Sequence, residues 1–429
     1  ETLRTVGRKD ACIARRALYP ILLLAAMSNV AAAADEIALR VEQITHGPAH
    51  HQFGYIGHVG TIPWNASGRY IAALRFADDD RLPSAADAAE IVLIDTENDY
   101  NVSAIDTTRA WNLQQGTMLY WNPLAPETQL FFNERNPDDD REYTVLYDVA
   151  QRRRLSEYRD LPRSYANSGM AQRGGAFLAI NYGRLARLRP VTGYVDAHDW
   201  TAGELAPQDD GLFHVDVNTG RSSLLVSYRQ LRDHLRAEFP AVTEQELFIN
   251  HTLWSRDDAR IFFFVRANFR SRQARLNQPM TIRPDGSGLR REPIHIGGHP
   301  EWLDGHRMVG SHEVRQVIYD TRSQTITETL GTREVFPNPE GDIAISPDAM
   351  LLANGFRQGA NNVYAIYRFA DAAYAHSPGI SHGGYEHGPL RLDPAPCWNR
   401  DGTALLVPGM STAGDETRQL FIIGVDARR

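Results

Sequence analysis

Lysine is almost absent from this chain. Of the 45 Lys and Arg residues among 429, one is lysine, at Lys9. A Schiff-base or lysine-base mechanism is therefore nearly excluded. Neither a P-loop nor a Rossmann fingerprint occurs, which argues against ATPases and dehydrogenases. Arginine supplies the positive charge instead, and its planar guanidinium group suits carboxylate and phosphate ligands.

Cysteine and long apolar runs are scarce as well. Cys12 and Cys397 are the two cysteines. The apolar run at 17–27 is too short for a convincing membrane span. Two arginines precede it and four alanines at 31–34 follow it, which is the pattern of a secretory signal peptide, with an uncleaved anchor as the alternative. We therefore expect residues 1–34 to be removed, leaving Cys397 without an intramolecular disulfide partner.

The charge balance indicates which partners to expect. The whole chain carries a formal net charge of −8, and residues 1–34 contribute five basic and two acidic side chains, so the exported chain carries −11. An acidic exported protein is a poor partner for nucleic acid or for an anionic membrane surface. We expect a periplasmic or secreted protein that is a monomer or weak dimer. After signal cleavage it is expected to bind neither nucleic acid nor a membrane.

A short pattern recurs about seven times in the remaining chain. It consists of an apolar or aromatic residue, a polar turn and a strand-like run, and it is followed by a second alternating strand that often ends in aspartate. The seven copies begin at Trp64, Trp121, Gly169, Trp254, Trp302, Ile345 and Trp398. Seven short-stranded repeats of about 56 residues favour an all-β fold. We predict one seven-bladed β-propeller over 35–429, with a two-domain β-sandwich as the structural alternative.

Two stretches interrupt the period. Residues 183–210 are predicted to form an arginine-rich loop, and residues 228–247 a short helical insertion. Long insertions in a propeller usually lie over one face, where functional residues tend to collect.

Polar residues precede several repeats at a matching phase. In a propeller these segments reach the central funnel, so they are candidates for a site. They comprise His51 and His58, Trp111, Gln114 and Gln115, His251, His299, and Arg391 with Asp393. Structural roles remain the alternative for each of them, particularly for the histidines.

The arginine-rich stretch offers candidates of another kind. Arg184, Arg187 and Arg189 lie within six residues of one another. They are either a solvated basic segment or a means of neutralising a substrate carboxylate in an otherwise acidic protein.

These pieces together resemble the oligogalacturonate-lyase-like β-propellers, a polysaccharide lyase family. The resemblance covers most of the chain after residue 34. It rests on residues 51–55, 63–70, 114–116, 184–190, 250–251, 299–302 and 398–402.

The resemblance implies β-elimination on a uronic-acid-containing glycan. It implies that His251 is the base for the C5 proton, that Arg184 and Arg187 neutralise the uronate carboxylate, and that His299 is a metal ligand. Tyr194, Tyr55 or His51 are candidates to protonate the leaving oxygen. Arg189, Trp111, Gln114, Gln115, Arg391 and His58 are expected to bind the acidic oligo- or polysaccharide.

The metal motif of that family is not retained. The corresponding residues are Leu390 to Ala395, of which Asp393 can bind a metal. Asp393 and His299 are therefore the two remaining candidate ligands. Two ligands are few for a transition metal. We expect no resident cofactor, with Mn or Ca as the possible divalent cation, and Arg391 in place of the metal.

Two other functions fit the same scaffold. A glycoside hydrolase would need two carboxylates about 5 to 10 Å apart across the funnel, and Glu301, Asp393 and Glu313 are possible members. A non-catalytic, TolB-like periplasmic propeller would bind a protein or glycan without turnover. A funnel dense in His and Arg favours the lyase.

Overall fold

Seven antiparallel sheets make up the described part of the chain. The computed structural model describes residues 37–54, 61–77, 80–269 and 274–427. Six sheets have four strands and one has five. The first strands of the third to the seventh sheet contact one another in order, and the last sheet contacts the first strand of the first sheet, so the sheets surround a common centre. This arrangement is the predicted seven-bladed β-propeller.

The strands follow one another in regular order within each blade. Blades 1 to 3 contain, from the centre outward, His50–Gln52, Tyr70–Phe76, Ala89–Asp95 and Asn101–Thr108; Tyr120–Trp121, Gln129–Arg135, Glu142–Asp148 and Arg153–Tyr158; and Ala166–Met170, Ala176–Ile180, Gly211–Asp216 and Ser222–Ser227. Blades 4 and 5 contain Phe248–Trp254, Ile261–Ala267, Leu276–Ile282 and Arg290–Arg291; and Gly297–Trp302, Arg307–His312, Arg315–Asp320 and Thr325–Leu330.

The last two blades complete the ring. Blade 6 contains Ile343–Ile345, Leu351–Gln358, Asn361–Arg368 and Tyr374–His376, with Ile380–Ser381 also paired to its third strand. Blade 7 contains Cys397–Trp398, Ala404–Met410 and Arg418–Ala427, and its outer strand is Ile37–Gln43. Ile37 pairs with Ala427 and Gln43 with Phe421, so the two ends of the described chain close the propeller within one sheet.

The repeated tryptophans explain why the sequence pattern recurs. In four of the copies the indole N–H donates to a backbone carbonyl of the preceding blade. The pairs are Trp121 with Pro63, Trp254 with Gly169, Trp302 with Leu253, and Trp398 with Ala344, at 2.7–3.1 Å. These buried side chains thus satisfy their own donors while joining neighbouring blades.

Burial differs between the middle and outer strands. All seven residues of Ile261–Ala267 are buried, because neighbouring blades cover both faces of a middle strand. The outer strand Thr325–Leu330 is mostly exposed. A continuous apolar run therefore marks a middle strand, as the sequence pattern indicated.

Both insertions emerge on one face of the propeller. Because neighbouring strands are antiparallel, the links from second to third strands and from one blade to the next emerge on the same side. We call this side the upper face. Both insertions belong to it, since one links the second and third strands of blade 3 and the other links blades 3 and 4.

The two insertions are more helical than expected. Residues 228–247 contain the predicted helix, Tyr228–Leu235, and a 3-10 turn at Pro240–Glu244. The prediction of a loop over 183–210 was wrong at its start, where Tyr182–Leu188 is an α-helix followed by a 3-10 turn at Pro190–Thr192. The Asn181 side chain accepts from the Arg184 N–H and caps that first helix.

Two further predictions concern membrane spans and the signal peptide. No helix within the described residues is long and apolar enough to cross a membrane. The signal peptide predicted at 1–34 lies outside the described residues.

Candidate functional site

Two histidines meet at the centre of the upper face. His251 lies at an irregularity in the innermost strand of blade 4, where the register shifts between Asn250 and Leu253. His299 lies at the matching irregularity in blade 5. Their φ angles are +54° and +55°, and their ring centroids are 4.9 Å apart. Such bulges re-aim side chains, and positive φ is uncommon outside glycine.

A carboxylate holds one of the two rings. His299 Nδ1 contacts Asp342 Oδ1, and the Asp342 side chain is 4% exposed. Asp342 precedes the innermost strand of blade 6, so three successive blades supply this group. A carboxylate at one ring nitrogen fixes the orientation of the imidazole.

Three arginines surround a single aromatic ring beside the histidines. The guanidinium carbons of Arg189, Arg266 and Arg275 lie 4.8, 5.0 and 4.6 Å from the centroid of Phe269. We call them the Phe269 arginines. None of the three forms an ion pair with a described carboxylate, whereas most arginines near the upper face do.

The Phe269 arginines differ in burial. Arg266 is buried, Arg189 is half-buried and Arg275 is exposed. Burial lowers the pKa of Arg266 well below its usual value, and the neighbouring Arg189 and Arg275 lower it further. Burial also lowers the pKa of Arg189 to about 10, helped by Arg391 and Arg275, and Arg189 Nε has no hydrogen-bond partner in the described structure. A partly buried cationic cluster without a described counter-ion is a site for an anion.

One aromatic ring links the cluster to the histidines. The Arg266 guanidinium carbon lies 4.6 Å from the Phe264 centroid, and the His251 ring lies 6.1 Å from the same centroid. Phe264 is paired with Asn250 in the neighbouring strand. Arg266 and His251 thus pack against the same aromatic ring.

The predicted residues before blade 7 form an ion network. Asp393 Oδ1 accepts from Arg391 Nε at 2.9 Å and from Arg357 Nη2 at 3.0 Å. Gln114 Nε2 donates to the Arg391 carbonyl at 3.2 Å. Burial raises the pKa of Asp393, and the nearby Asp342 adds to that rise. The structure thus brings these residues together with the histidine side of the channel.

Two other predicted site residues, His51 and Gln115, form hydrogen bonds to neighbouring side chains. His51 Nδ1 donates to Gln419 Oε1 at 2.9 Å, and burial lowers the pKa of His51. Gln115 Nε2 lies 3.4 Å from Asn250 Oδ1, which also accepts from the His251 N–H at 2.9 Å. Gln115 therefore helps to hold the bulge that carries His251.

Arg184 and Arg187 are engaged within the protein. Arg184 is fully buried, and its guanidinium group donates to the carbonyls of Leu247 and Leu205, with further acceptors at Thr201 and Glu204. It has no exposed surface to offer a carboxylate. Arg187 pairs with Asp199 at 2.8 Å and with Glu246 at 2.7 Å. Both arginines anchor the first insertion.

Tyr194 and Trp111 are also structural in their contacts. Tyr194 is fully buried, stacks on Tyr182 with centroids 4.2 Å apart, and accepts from Asn133 at 2.8 Å. Burial raises its pKa. Trp111 is 3% exposed and donates its indole N–H to the Asp87 carbonyl. His58 and Tyr55 lie outside the described residues.

The residues present do not fit the metal site implied by the resemblance. Asp393 is occupied by two guanidinium groups, and His299 Nδ1 contacts Asp342. In the described ranges, no three His, Cys, Asp or Glu side chains are placed to share an ion. No step is therefore assigned to a metal.

One short string matches the serine hydrolase pattern G-x-S-x-G without its geometry. Residues 379–383 read Gly-Ile-Ser-His-Gly, but Ser381 is exposed on an edge strand of blade 6. A turn rather than a helix follows, and Ser381 Oγ accepts from the Gly383 N–H at 3.2 Å. Ser381 is therefore not on a nucleophile elbow.

Sequence reasoning missed three residues of this site. Asp342 precedes blade 6 at the same phase as the histidines, and that repeat phase was sufficient to find it. Arg266 and Arg275 flank the link between the second and third strands of blade 4. The repeat phase singles out the segment before each blade and not this link, although both lie on the upper face.

Fold and site together define a seven-bladed β-propeller with a histidine pair and a basic pocket on its upper face. No family model matches the chain, and no curated protein matches it. Among solved structures it is similar to a chain of the mitotic checkpoint complex, at 9% identity over 89% of this chain and 92% of that one, with a TM-score of 0.42. It is also similar to TolB from Acinetobacter baumannii, at 11% identity over 91% and 96%, with a TM-score of 0.41. These likenesses concern the fold alone.

Proposed function

We propose that this protein is a polysaccharide lyase that cleaves a uronic-acid-containing glycan by β-elimination. The observation that carries the proposal is the position of His251 and His299 beside the Phe269 arginines. A base, a second proton-carrying group and an unpaired cationic cluster are the three components that the reaction needs.

The cationic cluster addresses the difficult part of the chemistry. The C5 proton of a uronate is weakly acidic because its carboxylate resists further negative charge at C5. Arg189 and Arg266 would bind that carboxylate and stabilise the enolate-like charge as it develops. Their burial strengthens the effect, since water does not screen a buried charge well.

The two histidines divide the proton transfers. His251 takes the proton from C5, the C4–O bond breaks, and a C4=C5 double bond forms in the acidic sugar. His299, which Asp342 keeps oriented, donates its proton to the departing oxygen. Exchange with water afterwards restores both rings. This scheme gives the acid role to His299 in place of the candidates Tyr194, Tyr55 and His51, and in place of metal ligation.

The export predicted from residues 1–34 would place this activity in the periplasm or outside the cell. Acidic glycans are accessible there, and a protein of net charge −11 would need a local basic pocket to retain them.

The experiment is absorbance near 235 nm during incubation with pectic, glucuronan, ulvan-type and gum-type glycans. β-Elimination leaves a conjugated unsaturated uronate that absorbs there, and hydrolysis does not. A rise on any member of the panel supports the lyase and identifies its glycan. Silence with new reducing ends would indicate a hydrolase, and silence in both assays would indicate a binding propeller.

A further inference from the structure

A small pocket lies between blades 1 and 7, next to the site described above. Its walls include the apolar side chains of Phe53, Leu113 and Val407. The pocket has a volume of about 30 Å³. A single water molecule needs roughly 10–15 Å³ on the same measure, so the pocket has room for a methyl or acetyl group but not for a sugar ring.

An unsatisfied hydrogen-bond acceptor lines this pocket. Gln52 is 6% exposed, and its Nε2 donates to the Asn112 carbonyl at 3.2 Å. Its Oε1 is buried without a hydrogen-bond partner among the described residues. Leaving a buried acceptor unpaired costs about 1–3 kcal/mol. A ligand hydroxyl beside an apolar group would satisfy this oxygen once the Gln52 amide turns toward the pocket.

The pocket adjoins the ion network before blade 7. Asp393 belongs to both, since it lines the pocket and accepts from Arg391. Gln114 also lines the pocket and donates to the Arg391 carbonyl. Arg391 in turn lies close enough to Arg189 for their charges to interact. A ligand that spans this distance meets a cationic end and an apolar end.

We propose that this pocket binds a methyl-bearing substituent on the sugar next to the uronate. The substituent is either the C6 methyl of a deoxyhexose or the methyl of an acetyl ester, and a neighbouring hydroxyl donates to Gln52 Oε1. The inference rests on the proposed function only in taking the ligand to be a glycan. The glycan is then one that alternates an acidic sugar with a methyl-bearing neutral sugar.

The test uses neutral monosaccharides, so it does not depend on turnover. Saturation-transfer NMR titrations compare methyl α-L-rhamnoside with methyl α-L-mannoside, which differ only by a hydroxyl at C6. A third probe, the 6-O-acetyl ester of that mannoside, separates a deoxy sugar from an acetylated one. We expect the rhamnoside or the ester to bind roughly tenfold more tightly than the mannoside, with the strongest transfer to its methyl protons.

A variant pair assigns that binding to this pocket. Ala395 lines the pocket, and Ala395→Val fills it. Ala88 lines a separate cavity of blade 1 beside Trp111, so Ala88→Val is the matched control. We expect Ala395→Val to abolish the preference and Ala88→Val to retain it, with melting temperatures confirming that both variants fold.

The outcomes separate this inference from the proposed function. Equal binding of all three probes to the wild-type protein overturns the inference, and that result needs no variant. A preference that survives Ala395→Val overturns it as well. A preference lost in Ala395→Val, from a protein that gives no 235 nm product, supports the pocket and counts against the lyase.

Discussion

His251 and His299 occupy equivalent bulges in neighbouring blades, and their rings lie 4.9 Å apart. The two residues share a left-handed backbone conformation that costs of order 1 kcal/mol or more for a residue other than glycine. Two adjacent blades therefore adopt the same unfavourable conformation to direct imidazoles toward one point. This convergence is the strongest structural argument for a chemical site in the channel.

Asp342→Asn tests the role of Asp342 as a positioning residue. The amide retains the shape but removes the negative charge from the group that orients His299. We expect kcat to fall about 10- to 100-fold, by analogy with other carboxylate–histidine pairs. KM for the glycan stays nearly unchanged, because the misoriented imidazole affects the reaction after the substrate has bound.

The control for that variant is Asp371→Asn, which removes an aspartate paired with Arg368 away from the channel. A purely structural role for Asp342 would raise KM and lower the melting temperature together with kcat, and that pattern would contradict the account.

Arg266→Met tests whether the Phe269 arginines are held for a ligand rather than for stability. Methionine keeps the packing on Phe264 and Phe269 while removing a buried charge that has no carboxylate partner among the described residues. We expect the free energy of unfolding to be about 1–4 kcal/mol higher in Arg266→Met than in the wild type. Affinity for the acidic glycan falls roughly tenfold to a hundredfold at the same time.

Arg184→Met is the matched comparison, because Arg184 is buried but fully hydrogen-bonded. We expect its loss to destabilise the fold by about 3–5 kcal/mol. Chemical denaturation of both variants measures the contrast, and a similar loss of stability in the two would remove the distinction drawn here between the arginines.

The buried Glu301 makes stability depend on pH. Burial raises its pKa to about 8, while Arg256 opposes that rise. The unfolded chain ionises this group near pH 4.5, so the folded state loses stability as the pH rises from there to about 8. The slope is at most about 1.4 kcal/mol per pH unit.

Glu301→Gln removes that slope while keeping an oxygen that can accept from the Ile345 N–H. We expect the variant to melt close to the wild type at pH 5 and above it at pH 8. Glu313→Gln is the control, since Glu313 is 86% exposed. Parallel melting curves for Glu301→Gln and the wild type across this range would refute the raised pKa.

The fold was predictable because its signal is repeated. Four tryptophans at one phase form the same bond to the preceding blade, so these copies reinforce one another. The histidines were predictable for a related reason, since His251 and His299 precede the same turn in adjacent repeats.

The arginines were harder to assign, because neighbours in sequence have different surroundings in the fold. Arg184 and Arg189 are five residues apart, yet Arg184 is fully hydrogen-bonded and Arg189 faces other arginines. The packing of the helix Tyr182–Leu188 against blade 4 decides this difference. Sequence spacing alone carries no information about that packing.

The most direct test of the account compares the wild-type protein with His251→Ala on the acidic glycan found in the 235 nm panel. Calorimetry measures binding, and absorbance at 235 nm measures elimination in the same samples. We predict that His251→Ala binds the glycan with nearly unchanged affinity and produces unsaturated uronate at least about 100-fold more slowly. Elimination at the wild-type rate by His251→Ala would contradict the account.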